Sequence, residues 1–302
     1  MKSALRIGFF LLLFLLCFSV SQARASENIS LSPAYQEVDL AEKEPEKKIS
    51  FTLSNNTSHS SQFELMPVNF APNDPNGGLK FFEAKEQSYL FSLASYLQFE
   101  STNFVLEAHE KKEIPIIIEN RQDLSPGGHY AALIVKQIPG EGETKISPAI
   151  SALIFLKKIG GERYNLSLKD ISFPPSLFTF SYPKDVRVTF QNEGNIHLIP
   201  YGRSEVRDMF GRLLYIGVLN ENSFFVLPDS RRYIYLTQRE VSFSLPISFN
   251  TFTFSGTDSL KKVTYSYKNT FIYINPVFAS VVLILAICVP IGIRYLKKRK
   301  NA

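Results

Sequence analysis

The sequence predicts an all-β chain set between two apolar segments, an export signal at its start and a single membrane-spanning helix at its end. Three observations lead there. Residues 7–16 form an unbroken apolar run behind Lys2 and Arg6, residues 277–293 carry no charge, and the chain between them shows short alternating runs broken by Asn, Gly, Pro and charged turns. No stretch of that middle part sustains a helical apolar period, and recurring short strands with regular turn signals are the pattern of β-sandwiches.

The N-terminal run is followed by small and polar residues, with Ala23-Arg24-Ala25 placed as an A-x-A cleavage site. This is the order of a secretory signal peptide, long enough to engage export and short for a stable span. Leu16 before Cys17 is too large for a lipoprotein cleavage site. At the other end, the uncharged residues 277–293 reach only ~25 Å as a helix, slightly less than a ~30 Å hydrocarbon core. The flanks extend it: Asn275 suits an N-cap, Pro276 the first helical position, Arg294 can snorkel, and Tyr295 fits the interface. Pro290 is expected to kink the helix. The basic run through Lys297-Lys298-Arg299-Lys300 places the C-terminus in the cytoplasm by the positive-inside rule.

Between the two segments lie about 250 residues, ample for two domains. The net charge of +5 owes much to the signal and the tail, so it implies no nucleic-acid partner. The only cysteines are Cys17 and Cys288, in the two apolar segments. The exported part therefore has no disulfide or thiolate metal site and must be held by ordinary cores, which fits a bacterial cell envelope.

Strands are expected over 48–55, where Ile49, Phe51 and Leu53 alternate with Ser50, Thr52 and Ser54, and over 61–70, ahead of a loop at 71–78. Residues 104–119 read as a hairpin around His109-Glu110-Lys111-Lys112, followed by strands at 129–138 and 146–159. After Gly160-Gly161 the candidates are 164–172, 186–191, 203–208, 213–218, 232–238 and 262–274, with Met209-Phe210-Gly211-Arg212 as a tight hairpin turn. Ile49-Ser50-Phe51-Thr52-Leu53-Ser54-Asn55 and Val186-Arg187-Val188-Thr189-Phe190-Gln191-Asn192 share one pattern, a strand closed by Asn. Asn ends a strand well because it tolerates left-handed backbone and bonds locally. Two tandem immunoglobulin-like β-sandwiches followed by one transmembrane helix are the simplest reading. The expected division is 1–25 signal peptide, 26–160 first domain, 161–275 second domain, 276–296 transmembrane helix and 297–302 basic cytoplasmic tail.

Several segments carry a resemblance. Leu31-Ser32-Pro33, Leu53-Ser54-Asn55-Asn56, Asn76-Gly77-Gly78, Val105-Leu106-Glu107 and Ser125-Pro126-Gly127-Gly128-His129-Tyr130 occur in order. Phe190-Gln191-Asn192-Glu193-Gly194-Asn195-Ile196-His197-Leu198-Ile199-Pro200-Tyr201-Gly202 is the most specific, followed by Asp208-Met209-Phe210-Gly211 and Leu227-Pro228-Asp229-Ser230-Arg231. Together they resemble the WxL-interacting cell-surface proteins of Gram-positive bacteria and, more distantly, pilus chaperones of the PapD type. The resemblance implies two immunoglobulin-like domains that bind another envelope protein, the cell-wall polymer, or both. The chaperones are soluble, whereas this chain carries an anchor, and their subunit-gripping basic pair has no assigned position here.

Catalytic, cofactor and metal motifs are not found. His59, His109, His129 and His197 show no metal spacing, and no nucleophile elbow, phosphate loop or dinucleotide fingerprint occurs. His197 reads as a packed histidine, and Leu227-Pro228-Asp229-Ser230-Arg231 lacks the Thr-Gly of a sortase signal. The expected function is therefore not enzymatic: a membrane-anchored cell-surface scaffold or chaperone-like module, its ectodomain outside, that engages another exported protein. The alternative is a carbohydrate-binding or adhesion module acting through exposed Tyr and Phe. One feature suggests where a partner sits. Residues 130–135 are apolar on both faces, and 149–156 nearly so. Either the second domain or a loop covers the outer face, or 149–156 is an open edge that receives a partner strand, with Ile150, Ala152, Ile154 and Leu156 as the side-chain grip. The chaperone resemblance implies the second, since those proteins offer a strand at this stage of their first domain.

Overall fold

The structure is a computed structural model and describes residues 29–86, 89–139, 148–174 and 176–300. The segment expected to be an export signal lies outside the described residues. The chain is built almost wholly of strands and ends in one helix. The first ten strands are β1 (Ile29–Ser32), β2 (Tyr35–Leu40), β3 (Glu46–Asn55), β4 (Ser61–Pro72), β5 (Leu79–Glu83), β6 (Leu97–Phe99), β7 (Asn103–Leu106), β8 (Lys111–Glu119), β9 (Gly127–Ile138) and β10 (Ala149–Lys158). They form two sheets, β1-β3-β8-β6 and β2-β10-β9-β4-β5, with β7 also paired to β4. The inward residues of both sheets share one core, in which Phe51, Leu53, Phe63, Ile116, Leu133 and Ile154 are fully buried. The alternation of 48–55 is the sequence signal of one wall of this core.

Residues 104–119 are not a hairpin. β7 pairs with β4, Ser61 opposite Leu106, whereas β8 pairs with β3, Ser54 opposite Lys111. The turn at His109, with φ of 59°, carries the chain from one sheet to the other. The turn residues are genuine; what the local sequence could not show is that the two strands have different, distant partners.

The second half contains β11 (Leu166–Ile171), β12 (Phe178–Thr179), β13 (Asp185–Asn192), β14 (Pro200–Asp208), β15 (Leu213–Leu219), β16 (Ser230–Glu240), β17 (Ile247–Asp258) and β18 (Thr264–Ile274). They make one sheet in the order β11-β13-β16-β15-β14-β17-β18-β12, curled around a core of Val188, Phe190, Val206, Leu236, Phe252 and Phe271. The β14–β15 turn is the expected tight hairpin. Asp208 Oδ1 accepts from the Phe210 and Arg212 amides at 3.0 and 2.9 Å, and Gly211 takes a φ of 80°. Asn275 alone separates β18 from α1 (Pro276–Lys300), and its Oδ1 accepts from the Val277 amide at 2.9 Å as an N-cap. Residues 276–294 of this helix are long and apolar enough to cross a membrane, and none of that window is buried against the protein.

The two Asn-closed strands play matching parts. β3 lies between β1 and β8, β13 between β11 and β16, and Asn55 and Asn192 are both fully buried opposite Ile29 and Leu166, the first residues of β1 and β11. Asn55 Nδ2 donates to the His59 and Glu107 carbonyls at 2.9 Å, and its Oδ1 accepts from the Thr57 amide at 3.1 Å. Asn192 Nδ2 donates to the Ile196 and Val226 carbonyls at 2.7 and 2.9 Å, and its Oδ1 accepts from the Gly194 amide at 2.9 Å. Left-handed backbone is not the reason, because neither Asn192 nor Gly194 has a positive φ. Gly194 is instead held by close approach: a Cβ there would lie 2.2 Å from the Arg163 carbonyl oxygen and 3.0 Å from the Asn165 amide.

Gly194→Val and Asn192→Ala should each destabilise the protein. The first forces the 193–195 turn off Arg163. The second leaves the buried Ile196 carbonyl without its donor and takes one of two donors from the Val226 carbonyl, at a cost of roughly 2 kcal/mol. Denaturant unfolding of both variants checks this; an unchanged midpoint for Gly194→Val would remove the close-packing account.

Candidate functional site

The outer face of β9 and β10 is where the sequence left apolar residues without cover. Tyr130 and Ala132 on β9 and Phe155 on β10 are buried there with Phe70 and Phe91, and Leu227 from the second half closes the cluster. Phe155 is its hub. Its ring lies 4.6 Å from Phe225, 5.0 Å from His197, 5.7 Å from both Tyr130 and Phe70, and 6.0 Å from Tyr35. Such pairs contribute about 0.5–1.5 kcal/mol each beyond the burial of their area. Packing by the second half therefore covers much of this face.

Polar contacts fix the same junction. The Tyr130 hydroxyl meets His197 Nδ1 at 3.3 Å, and His197 Nε2 meets Glu37 Oε2 at 3.2 Å. Tyr130 donating to Nδ1 and Nε2–H donating to the carboxylate satisfy one neutral tautomer. The bond from His197 holds the Glu37 carboxyl below its ordinary pKa, and burial pushes the Tyr130 phenol well above its own. His197 is thus a packed histidine that ties the halves together. Two motifs of the sequence resemblance meet beside it. The Gly128 amide donates to the Asn195 carbonyl at 2.7 Å, and Asn195 Nδ2 donates to the Gly161 carbonyl at 2.9 Å. Gly127 has a φ of 120°, and a Cβ on it would fall 2.8 Å from Asn195 Nδ2. Read singly, Gly127-Gly128 and Gly194-Asn195 were turns; together they let two backbones touch.

Beside the junction an open groove of about 280 Å³ is walled by Tyr35, Phe70, Leu153, Phe155, Phe224 and Arg232. The Arg232 guanidinium stacks over the Phe224 ring at 4.9 Å and donates from Nη1 to the Phe225 carbonyl at 2.7 Å. Its Nε is buried with no partner among the described residues. Burial lowers the arginine's pKa from its ordinary value, and the charge of Asp74 works against that shift.

The residues expected to grip a partner lie elsewhere. Ala152, Ile154 and Leu156 are fully buried in the core of the first half, and Ile150 packs against it. β10 is also not an open edge along its length. β2 runs parallel to it from Leu153 opposite Tyr35 to Lys158 opposite Leu40, having crossed from the other sheet after Ser32-Pro33. The edge is unpaired only at 149–152 among the described residues. There the outward backbone groups belong to Ala149 and Ser151, because the Leu153 amide, two residues on, donates outward to the Ala34 carbonyl at 3.0 Å. Leu153 and Tyr35, where this free edge ends, also wall the groove. Among the described residues no group of three His, Cys, Asp or Glu could hold a metal.

A scan against protein-family models gives no match. A search of curated proteins gives none. The solved structures that match include a PapD-like domain of human CEP192, 13% identical with 45% of this chain and 89% of that chain covered and a TM-score of 0.32, and several pilus chaperones. The class 5 fimbrial chaperone CfaA is 8% identical, with 81% of this chain and 99% of that chain covered and a TM-score of 0.42. A chain of the SafA pilin–SafB chaperone complex of Salmonella enterica is 10% identical, covering 79% and 95%, with a TM-score of 0.38. A chain of the CsuC–CsuE chaperone–tip subunit complex of Acinetobacter baumannii is 11% identical, covering 80% and 97%, with a TM-score of 0.38. The cell-surface family has no counterpart among these matches.

His129, beside Tyr130 on β9, gives the site a pH signature. Its ring is buried with Nδ1 3.2 Å from the Ser92 carbonyl and Nε2 2.7 Å from that of Ser125. Burial lowers its pKa below the ordinary value of 6.5, and the charge of Lys158 adds to this. The unfolded chain then binds the proton more readily than the folded one. The stability linked to this group should be fully present above the unfolded pKa and fall as the pH drops through it. Urea unfolding between about pH 7.5 and 5.5 should show that loss in the native protein, and a flatter profile in His129→Gln.

Proposed function

We propose that this protein is a membrane-anchored, chaperone-like binding module of a bacterial cell surface, with two tandem immunoglobulin-like sandwiches divided near residue 160. In this reading α1 spans the membrane, the basic C-terminus is cytoplasmic, and the strands stand outside, as the sequence resemblance to the WxL-interacting proteins implies. The partner is another exported protein that offers an extended segment. The observation that carries this is the free edge of Ala149 and Ser151 opening into an aromatic groove. An added strand would take its backbone bonds from those two residues, and its side chains would enter the groove past Leu153 and Tyr35. The neighbouring residues Ile150, Ala152, Ile154 and Leu156 support the edge from the core. Wall polymer is the lesser reading, because the groove is mostly apolar.

Ser151→Pro removes an outward donor while leaving every bond to β9 in place. It should abolish partner capture with little change in thermal stability. A photo-crosslinking residue at Ser151 should yield adducts in intact cells, and one at Thr253 should not. Ile154→Lys should instead destabilise the fold by roughly 3 kcal/mol or more, since it buries a charge without a partner. Undiminished capture by a folded Ser151→Pro would remove the edge from the account. Orientation is checked separately: protease added to wall-stripped cells should digest the strands and leave the C-terminal tail intact.

A further inference from the structure

The outer face of the β17–β18 hairpin changes character along its length. Its outward cross-strand pairs are Thr257–Thr264, Ser255–Ser266, Thr253–Lys268 and Thr251–Thr270, all polar, and then Phe249–Ile272 and Ile247–Ile274. The switch falls in the last two rows before Asn275 and α1. β12 continues the first apolar row, with Phe178 opposite Ile272. Phe249 is 56% exposed and Phe178 50%.

The inside of the same strand is inverted too. Ser248 and Asn250 are buried where Ile247 and Phe249 are not, and the Ser248 hydroxyl has no hydrogen-bond partner among the described residues. A one-residue shift of register that buried Ile247 and Phe249 would expose Phe252 and Phe254, so the core holds the register and leaves this end with its apolar residues outside. The pattern suits an environment that is apolar outside the sheet at this end alone. Other apolar side chains share the end. Asp208 pairs with Asn250, so the β14–β15 turn projects the same way as the start of β17, and Phe210 at its tip is 72% exposed. Arg212 lies over the ring of Phe243, which is 69% exposed.

We propose that this end of the second half is a lipid-contacting rim, seated in the headgroup layer of the membrane that α1 enters. The inference rests on the reading of α1 as a membrane span. Continuity with the helix identifies the occupant. Two rows of a strand extend ~7–14 Å, and the headgroup and interfacial region adds several ångströms on each side of the hydrocarbon. Phe and Ile side chains at that depth bury their area at the acyl boundary, as on an interfacial helix. The rim therefore docks the sheet upon the bilayer rather than leaving it to swing from its anchor.

The test uses the full-length chain with Cys17→Ala and Cys288→Ala, in phosphatidylcholine–phosphatidylglycerol vesicles. One cysteine at a time is introduced as Phe249→Cys, Phe178→Cys, Leu260→Cys or Leu285→Cys and labelled with an environment-sensitive fluorophore. Leu260 sits in the turn at the far end of the hairpin and Leu285 lies within the helix. A blue shift and quenching by headgroup-linked nitroxide at both 249 and 178, with water-like emission at 260, is the expected result. Water-like emission at 249 and 178 with lipid-buried emission at 285 would overturn the rim while leaving the span. Water-like emission at 285 would overturn the span and the rim with it.

Discussion

The two halves meet around one ring, that of Phe155. It lies on a strand whose other face is already committed to a core, so its outward ring must be covered by something. The cover comes from Phe225, Leu227 and His197, all from the second half. Burial of a ring of this size is worth about 1.5–3 kcal/mol relative to exposure, comparable to a sizeable share of a domain's net stability. The polar chain from Tyr130 through His197 to Glu37 adds direction to an attraction that has none. That chain runs from β9 through His197 of the second half to Glu37 on β2, the strand that also brings Tyr35 to the groove.

The groove is what remains of the same face after the cover is in place. Tyr35, Leu153 and Phe155 belong to β2 and β10, whose pairing begins at the edge of the groove. The free backbone of Ala149 and Ser151 and the aromatic walls are thus two products of one event, the crossing of the first strand from one sheet to the other. Arg232 adds a cation stacked on Phe224, partly stripped of water.

Much of this was legible in the sequence, and the losses have physical causes. The double-sided apolar character of 130–135 and 149–156 marked the covered face correctly, and packing by the second half was among the expected covers. The grip on Ile154 and Leu156 was misplaced because alternation gives two faces and does not say which one the core takes. β17 was overlooked because its apolar phase slips: Ile247 and Phe249 point out, Phe252 and Phe254 point in. A strand that changes solvent along its length hides its own period. The hairpin at 104–119 failed for another reason, since pairing to β3 and β4 is a long-range property that turn residues do not encode. The Asn-closed strands hold matching places in the two halves, but their asparagines act by bridging carbonyls rather than by adopting left-handed backbone.

Asn275 is the whole of the connection between β18 and α1, and its side chain is spent on capping the helix. A joint of one residue has two soft torsions, and hydrogen bonds on both sides restrain them. The strand and the helix therefore behave as a crank with almost no play. Any tilt or rotation of the helix is handed to the sheet as a rigid turn. The compass bearing of the distant groove is set by a single peptide unit at the foot of the molecule.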